Sequence, residues 1–213
     1  MDAAALRATL EADYADALDR LGSADLPVAL SGGDVDPAAL LAAAADSEYA
    51  ARETFREWVA DAADPSLAST FEAVAEQEAD HFQRVRSFIA DDTTHDPDRS
   101  GPMHAYLRGR STPIQRIAGG MVGRTLVSLR THDRLIACFE ASGERDRAAL
   151  FRDLRAETAA CLDDGLAELA YSAEVTISGG VASMSNRILR PIVERDINTY
   201  FSNIKAAVET DQS

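Results

Sequence analysis

Lysine is almost missing from this chain: Lys205 is the only one in 213 residues, and aspartates outnumber glutamates. The net charge is −15. A surface so short of positive charge excludes the basic face that grips a phosphate backbone, so nucleic acid is not an expected partner. The mildly basic stretch around Arg99, Arg108, Arg110 and Arg116 has only Tyr106 interleaved as a stacking group, which is weak for such a function. An acidic, arginine-over-lysine balance is like that of proteins from salt-loving organisms, where charge answers the solvent rather than a ligand. Cysteine is scarce as well. Cys138 and Cys161 have no CxxC spacing, which excludes a cysteine-ligated metal ribbon and suits a reduced, cytoplasmic setting. Aromatics make up 6% of the chain and alanine is abundant, so helices are expected rather than strands. No run of about 18 apolar residues is present, so no membrane span is expected. The first residues, Met1-Asp2-Ala3-Ala4-Ala5, lack the basic start of a signal peptide.

What is present is helical periodicity. Leu6, Leu10, Tyr14, Leu18 and Leu21 form an i, i+4 stripe that Gly22 and Pro27 stop. Asp36-Pro37 is an N-cap followed by proline at the first helical position, and the helix it opens runs to about Ala62. A second helix after Pro65 carries Phe71, Val74, Glu78, His81, Val85 and Phe88 on one face. From Asp91 to Thr112 the chain reads as polar and broken by Pro97, Gly101, Pro102 and Gly109, a long crossover without regular structure. A third helix opens at Ser111-Thr112-Pro113 and runs to about Ser142, and a turn at Gly143 leads into a fourth, about Glu144 to Ala170. After Gly179-Gly180, the stripe Leu189, Val193, Ile197, Tyr200, Ile204 and Val208 reads as a last helix suited to capping the bundle or to pairing two copies. The expected fold is all-α: a four-helix bundle over residues 37–171 with one long crossover, preceded by a helix and loop in 1–36 and followed by a helix in 172–213.

The chemistry lies in polar residues placed on apolar stripes. Glu48 falls among Leu41, Ala44, Ala51, Phe55 and Trp58, and Glu78 and His81 sit mid-stripe on the next helix, three apart and so on one face. A carboxylate placed in a core is expected to be paired, protonated or metal-bound. If the two helices fold back about a turn near Asp64, Glu48 lies level with residue 80 and faces the gap between Glu78 and His81. One glutamate plus Glu-x-x-His from the neighbouring helix is a set that holds iron or manganese in carboxylate bundles. The plainer alternative puts Glu48 and Glu78 at the stripe edge, paired with arginines such as Arg52.

The stretch Glu48-Tyr49-Ala50-Ala51-Arg52 followed by Phe55 resembles the first bundle helix of rubrerythrins, and Phe71 to His81 followed by Arg84 is similar to their second. The resemblance covers about residues 37–90, is weaker over 113–170 and does not reach the terminal helices. It implies a ferritin-like fold and an ancestry in iron-dependent peroxide or oxygen chemistry, without a rubredoxin-like domain. The pattern then fails in the second half. Glu157 lies on the inward stripe of the fourth helix, but Ala160 stands where the family has histidine. The third helix, read with Ile117, Met121, Arg124, Ser128, Thr131 and Leu135 inward, has no carboxylate there. His132 reads as a surface or core-edge residue that would reach the site only if the helix rotated. Arg124 on the core stripe offers a guanidinium in place of a lost metal's charge. The expected ligands are therefore Glu48, Glu78, His81 and Glu157, with Arg124 and His132 as metal-replacing or supporting groups, and the cofactor iron, manganese or none. Two functions follow: a rubrerythrin-related protein with a degenerate di-iron site handling peroxide, oxygen or iron, or a non-catalytic ferritin-like scaffold that binds a partner without metal. A homodimer or larger homo-oligomer is the expected assembly. The two cysteines are placed about 18 Å apart along the third and fourth helices, too far for a disulfide.

Overall fold

A computed structural model describes residues 3–21, 26–27, 36–89 and 101–178. Among these residues every regular element is helical, so the fold is all-α. The helices are α1 (Ala3–Asp13), α2 (Ala15–Leu21), α3 (Pro37–Asp61), α4 (Pro65–Arg86), α5 (Gly101–Arg108), α6 (Pro113–Arg116), α7 (Arg124–Ala141) and α8 (Arg145–Ser178), with a π-helical stretch, Ile117–Gly123, between α6 and α7. The expected last helix, with its stripe from Leu189 to Val208, lies outside the described residues.

Local chemistry places the boundaries. Asp36 caps α3 by accepting hydrogen bonds from the amides of Ala38 and Ala39 at 3.3 and 3.2 Å, and Pro37 needs no partner for a missing N–H. Asp64 does the same for α4 through Ser66 at 2.9 Å, ahead of Pro65. With only three residues between them, α3 and α4 fold back on each other. Between α7 and α8 the turn depends on Gly143, whose φ of 77° lies in the left-handed region that a Cβ disfavours. The Glu144 amide reaches back to the Phe139 carbonyl at 2.8 Å and closes the α7 end. Helices α7 and α8 then pack along each other, with α1 against α8 and α2 against α7.

Three expectations are corrected here. The leading helix is two helices, broken at Tyr14. The crossover is not wholly irregular: Gly101–Arg108 is helical, because burial of His104 and Leu107 against α3 offsets its weak intrinsic propensity. The third helix runs unbroken over the expected residues but is not regular α-helix throughout, and its π-helical stretch has consequences for the site.

Two apolar clusters hold the helices together. One gathers Leu10, Leu18, Phe55, Trp58, Phe71, Met121, Leu126 and Leu162, among others. The other gathers Leu40, Leu41, Val85, Leu135, Phe139, Phe151 and Leu154. Phe55, Trp58 and Phe71 form a mutual aromatic contact, with centroids 5.0 to 5.9 Å apart. Neither cluster includes Glu48, Glu78 or His81, which are buried all the same.

Candidate metal centre

Glu48 comes from the middle of α3 and Glu78 and His81 from the middle of α4, each held on the inward face by apolar neighbours one turn away. Glu78 is 1% exposed and His81 0%, so neither can be solvated in place. One ligand atom from each of the three lies within 4.8 Å of the others. The inner imidazole nitrogen of His81, Nδ1, is 3.9 Å from Glu48 Oε2, too far for a hydrogen bond. Both His81 Nδ1 and Glu78 Oε2 are buried without a hydrogen-bond partner.

Arg124 enters from the other side of the carboxylates. Its guanidinium donates to Glu78 Oε1 at 2.8 Å and to the Gly120 carbonyl at 3.0 Å, and it lies over the Phe55 ring at 5.4 Å. Glu78 is therefore half satisfied: one oxygen is held by Arg124 and the other is open. Arg52, the arginine that the sequence offered as a simple partner, instead pairs with Glu53 at 2.8 Å and stacks on Tyr49.

His132 is a buried residue, 3% exposed, and its Nε2 stands 3.6 Å from Glu48 Oε1. This corrects the reading of a surface or core-edge histidine. The signal was hidden by the π-helical turn of Ile117–Gly123, which adds a residue and shifts the face that α7 presents. Leu129 and His132 are buried, while Ser128 and Thr131, assigned inward by uninterrupted α-helical periodicity, are only half-buried. The π stretch is also a place of close packing. A Cβ on Gly120 would stand 2.5 Å from the Trp58 ring, and one on Gly119 would stand 2.9 Å from Leu107.

Glu157, on α8, does not join the converging ligand atoms. Its side chain is 41% exposed; Oε2 meets His81 Nε2 at 2.8 Å and Oε1 accepts from Arg84 at 2.8 Å. The neighbouring Cys161 is buried beside Arg124, Cys138 is half-buried, and both are free thiols. His104 is a group that sequence reasoning missed. It is 2% exposed, with Nδ1 3.3 Å from the Thr54 hydroxyl and Nε2 unpartnered. It sits in the crossover that reads as irregular, where no apolar stripe marks it.

The electrostatics follow from these positions. Burial alone would raise Glu48, but the facing imidazoles of His132 and His81 hold its carboxyl well below the ordinary range. Burial pushes Glu78 up to about 7, with Arg124 opposing and Glu48 adding to the rise. Burial would lower His81, but Glu48, Glu78 and Glu157 outweigh it and raise the imidazole to about 9. His104 is pushed down to about 3 by burial and by the charges of Arg124 and Arg108. The centre thus favours the charged form of Glu48 and draws protons toward His81 through its facing carboxylates, with Arg124 bound to Glu78.

The family model that matches the chain is that of CoxG, a carbon monoxide dehydrogenase subunit, over residues 126–209, which is less than half of the 213 residues. None of the curated proteins or solved structures compared with the chain matches it. The family match overturns the resemblance to rubrerythrins. The reading as a ferritin-like iron or peroxide-handling oxidoreductase falls with it, and so does its alternative as a ferritin-like scaffold. That resemblance rested on two adjacent helices, where the helical period by itself is enough to bring a glutamate, a second glutamate and a histidine onto facing stripes. In the second half of the chain the rubrerythrin pattern lacked both a histidine at the position of Ala160 and the third-helix carboxylate.

Proposed function

We propose that Glu48, Glu78 and His81 bind one divalent first-row cation, manganese(II) or iron(II) being the class suited to two carboxylates and one imidazole. The observation that carries this reading is convergence: three ligand atoms from two helices within 4.8 Å, all buried. Two of the groups concerned, Glu78 Oε2 and His81 Nδ1, have no partner. A buried polar atom left unsatisfied costs about 1–3 kcal/mol, so two at one point favour a cation between them. The residues fit the group in chemistry as well as in place. Arg124 takes the remaining oxygen of Glu78 and supplies positive charge where a second metal would otherwise be needed, which supports a stoichiometry of one. His132 faces the other oxygen of Glu48, Oε1, at 3.6 Å.

Titration of metal-stripped protein with manganese(II), followed by calorimetry and metal analysis, tests this reading. One cation per chain is expected, with binding weakened by at least about tenfold in Glu78→Gln and His81→Ala while helicity is kept. Two cations per chain, or no saturable binding, would sink it.

A second reading takes its support from the family match. Residues 126–209 resemble a protein named for carbon monoxide dehydrogenase, which favours association with such an enzyme. Affinity purification of the tagged chain from its own cells should bring down carbon monoxide dehydrogenase activity, and its absence there removes the reading.

A further inference from the structure

We propose that Glu157 is a positioning residue, which, braced by Arg84, holds His81 in the tautomer and orientation that aim Nδ1 at the cation. The inference rests on the cation reading of Glu48, Glu78 and His81, and it changes the part played by α8, which supplies no ligand in this arrangement. The imidazole of His81 is fully buried, and its two nitrogens face opposite ways. Nε2 lies 2.8 Å from Glu157 Oε2, whereas Nδ1 faces Glu48 Oε2 at 3.9 Å and has no hydrogen-bond partner. A neutral imidazole carries one N–H. With a carboxylate accepting at Nε2, the hydrogen stays there and the Nδ1 lone pair is left for the cluster. Carboxylates commonly orient metal-bound histidines from the far nitrogen in this way.

Glu157 is itself restrained. Arg84 Nη1 donates to Oε1 at 2.8 Å and to Asp80 Oδ2 at 3.2 Å, and its Nη2 lies 3.7 Å from Asp153 Oδ2 as an ion pair. Arg84 follows His81 by three residues on α4, so it projects from the same face one turn further on. The chain Arg84–Glu157–His81 thus runs from a partly exposed arginine to the buried cluster and ties α8 to α4 at the level of the site. The residue that the sequence offered as a fourth ligand acts instead from behind the third.

The experiment compares wild-type protein with Glu157→Ala and Glu157→Gln, reading zinc(II) affinity by calorimetry and the His81 tautomer from imidazole ¹⁵N shifts. Glu157→Ala is expected to weaken binding about 10- to 100-fold at unchanged stoichiometry. Glu157→Gln keeps an oxygen that accepts from Nε2–H and should restore most of that affinity. In metal-free protein, at a pH where the ¹⁵N shifts themselves report one protonated and one bare ring nitrogen, wild type should show the Nε2–H form and Glu157→Ala a shift toward Nδ1–H. This last reading needs no metal, so a wild-type protein that binds no zinc(II) defeats the cation proposal while the Glu157–His81 bond is still judged by its tautomer. Equal affinities and tautomers in wild type and Glu157→Ala overturn the positioning role. Glu157→Gln as damaging as Glu157→Ala, with the His81 tautomer unmoved, also overturns it in favour of Glu157 as a direct ligand.

Discussion

The neutral, buried His104 makes a residue-scale prediction that is independent of any metal. Its imidazole has an ordinary value near 6.5 and is held down to about 3 in the fold, by burial first and then by Arg124 and Arg108. A histidine depressed in this way favours the folded state above about pH 6.5, where both states are neutral. Below that, the unfolded chain gains a proton that the folded chain refuses, so stability falls as pH drops toward 3. Between pH 7 and 4.5 the raised Glu78 carboxyl acts in the opposite sense, so the difference between two proteins is the readout: urea midpoints of wild type should fall relative to those of His104→Gln as pH drops through this window. An identical slope in the two proteins would show that His104 is not held neutral. His81 and Glu48 were legible in the sequence because each interrupts an apolar stripe. His104 was not, because eight helical residues between polar segments do not make a periodic signal.

At the scale of an element, the π-helical stretch Ile117–Gly123 decides more than its seven residues suggest. It lets the backbone pass close under Trp58 and Phe55, and it turns α7 so that Arg124 and His132 both face α3 and α4. Gly120→Ala would place a methyl 2.5 Å from one Trp58 ring carbon and 2.8 Å from another. The tryptophan is fully buried and has no room to swing, so overpacking should cost about 1–3 kcal/mol. Thermal or urea unfolding of the variant measures it, and a neutral effect would mean that α7 meets α3 differently. The capped starts of α3 and α4 and the Gly143 turn are the opposite case. Aspartate before proline and a glycine after a helix act through their immediate neighbours, so the residues alone announce them.

Over the whole molecule, the described residues enclose a polar centre between two apolar clusters, so the charges of Glu48, Glu78, His81 and Arg124 are shielded from the acidic exterior. No helix of the described residues is long and apolar enough to cross a membrane. The net charge of the chain is −15, and among the described residues several surface arginines are drawn into ion pairs, such as Arg84 with Asp80 on one helix and Arg155 with Asp133 between two. Such pairs on exposed helices contribute little each. The centre is different, because removing one partner there leaves another charge buried and unmatched.

The sequence by itself determined the helical class, the starts and stops of the central helices, and the candidacy of Glu48, Glu78, His81 and Arg124. Those properties depend on neighbours along the chain and on a helical period of 3.6 residues, both of which can be read from a string of letters. The resemblance built on the same residues is overturned by the CoxG match over residues 126–209, since a helical period places such residues together whatever the family. Only the tertiary structure decided that Arg124 takes one oxygen of Glu78, that His132 turns inward, and that Glu157 meets the back of His81 rather than the cluster. Each of these depends on a helix's rotation about its own axis. In α7 that rotation is displaced by one extra residue in the π-helical turn, and in α8 it is set by packing against α7, α1 and α4. A shift of about 100° per residue is enough to exchange a buried side chain for an exposed one.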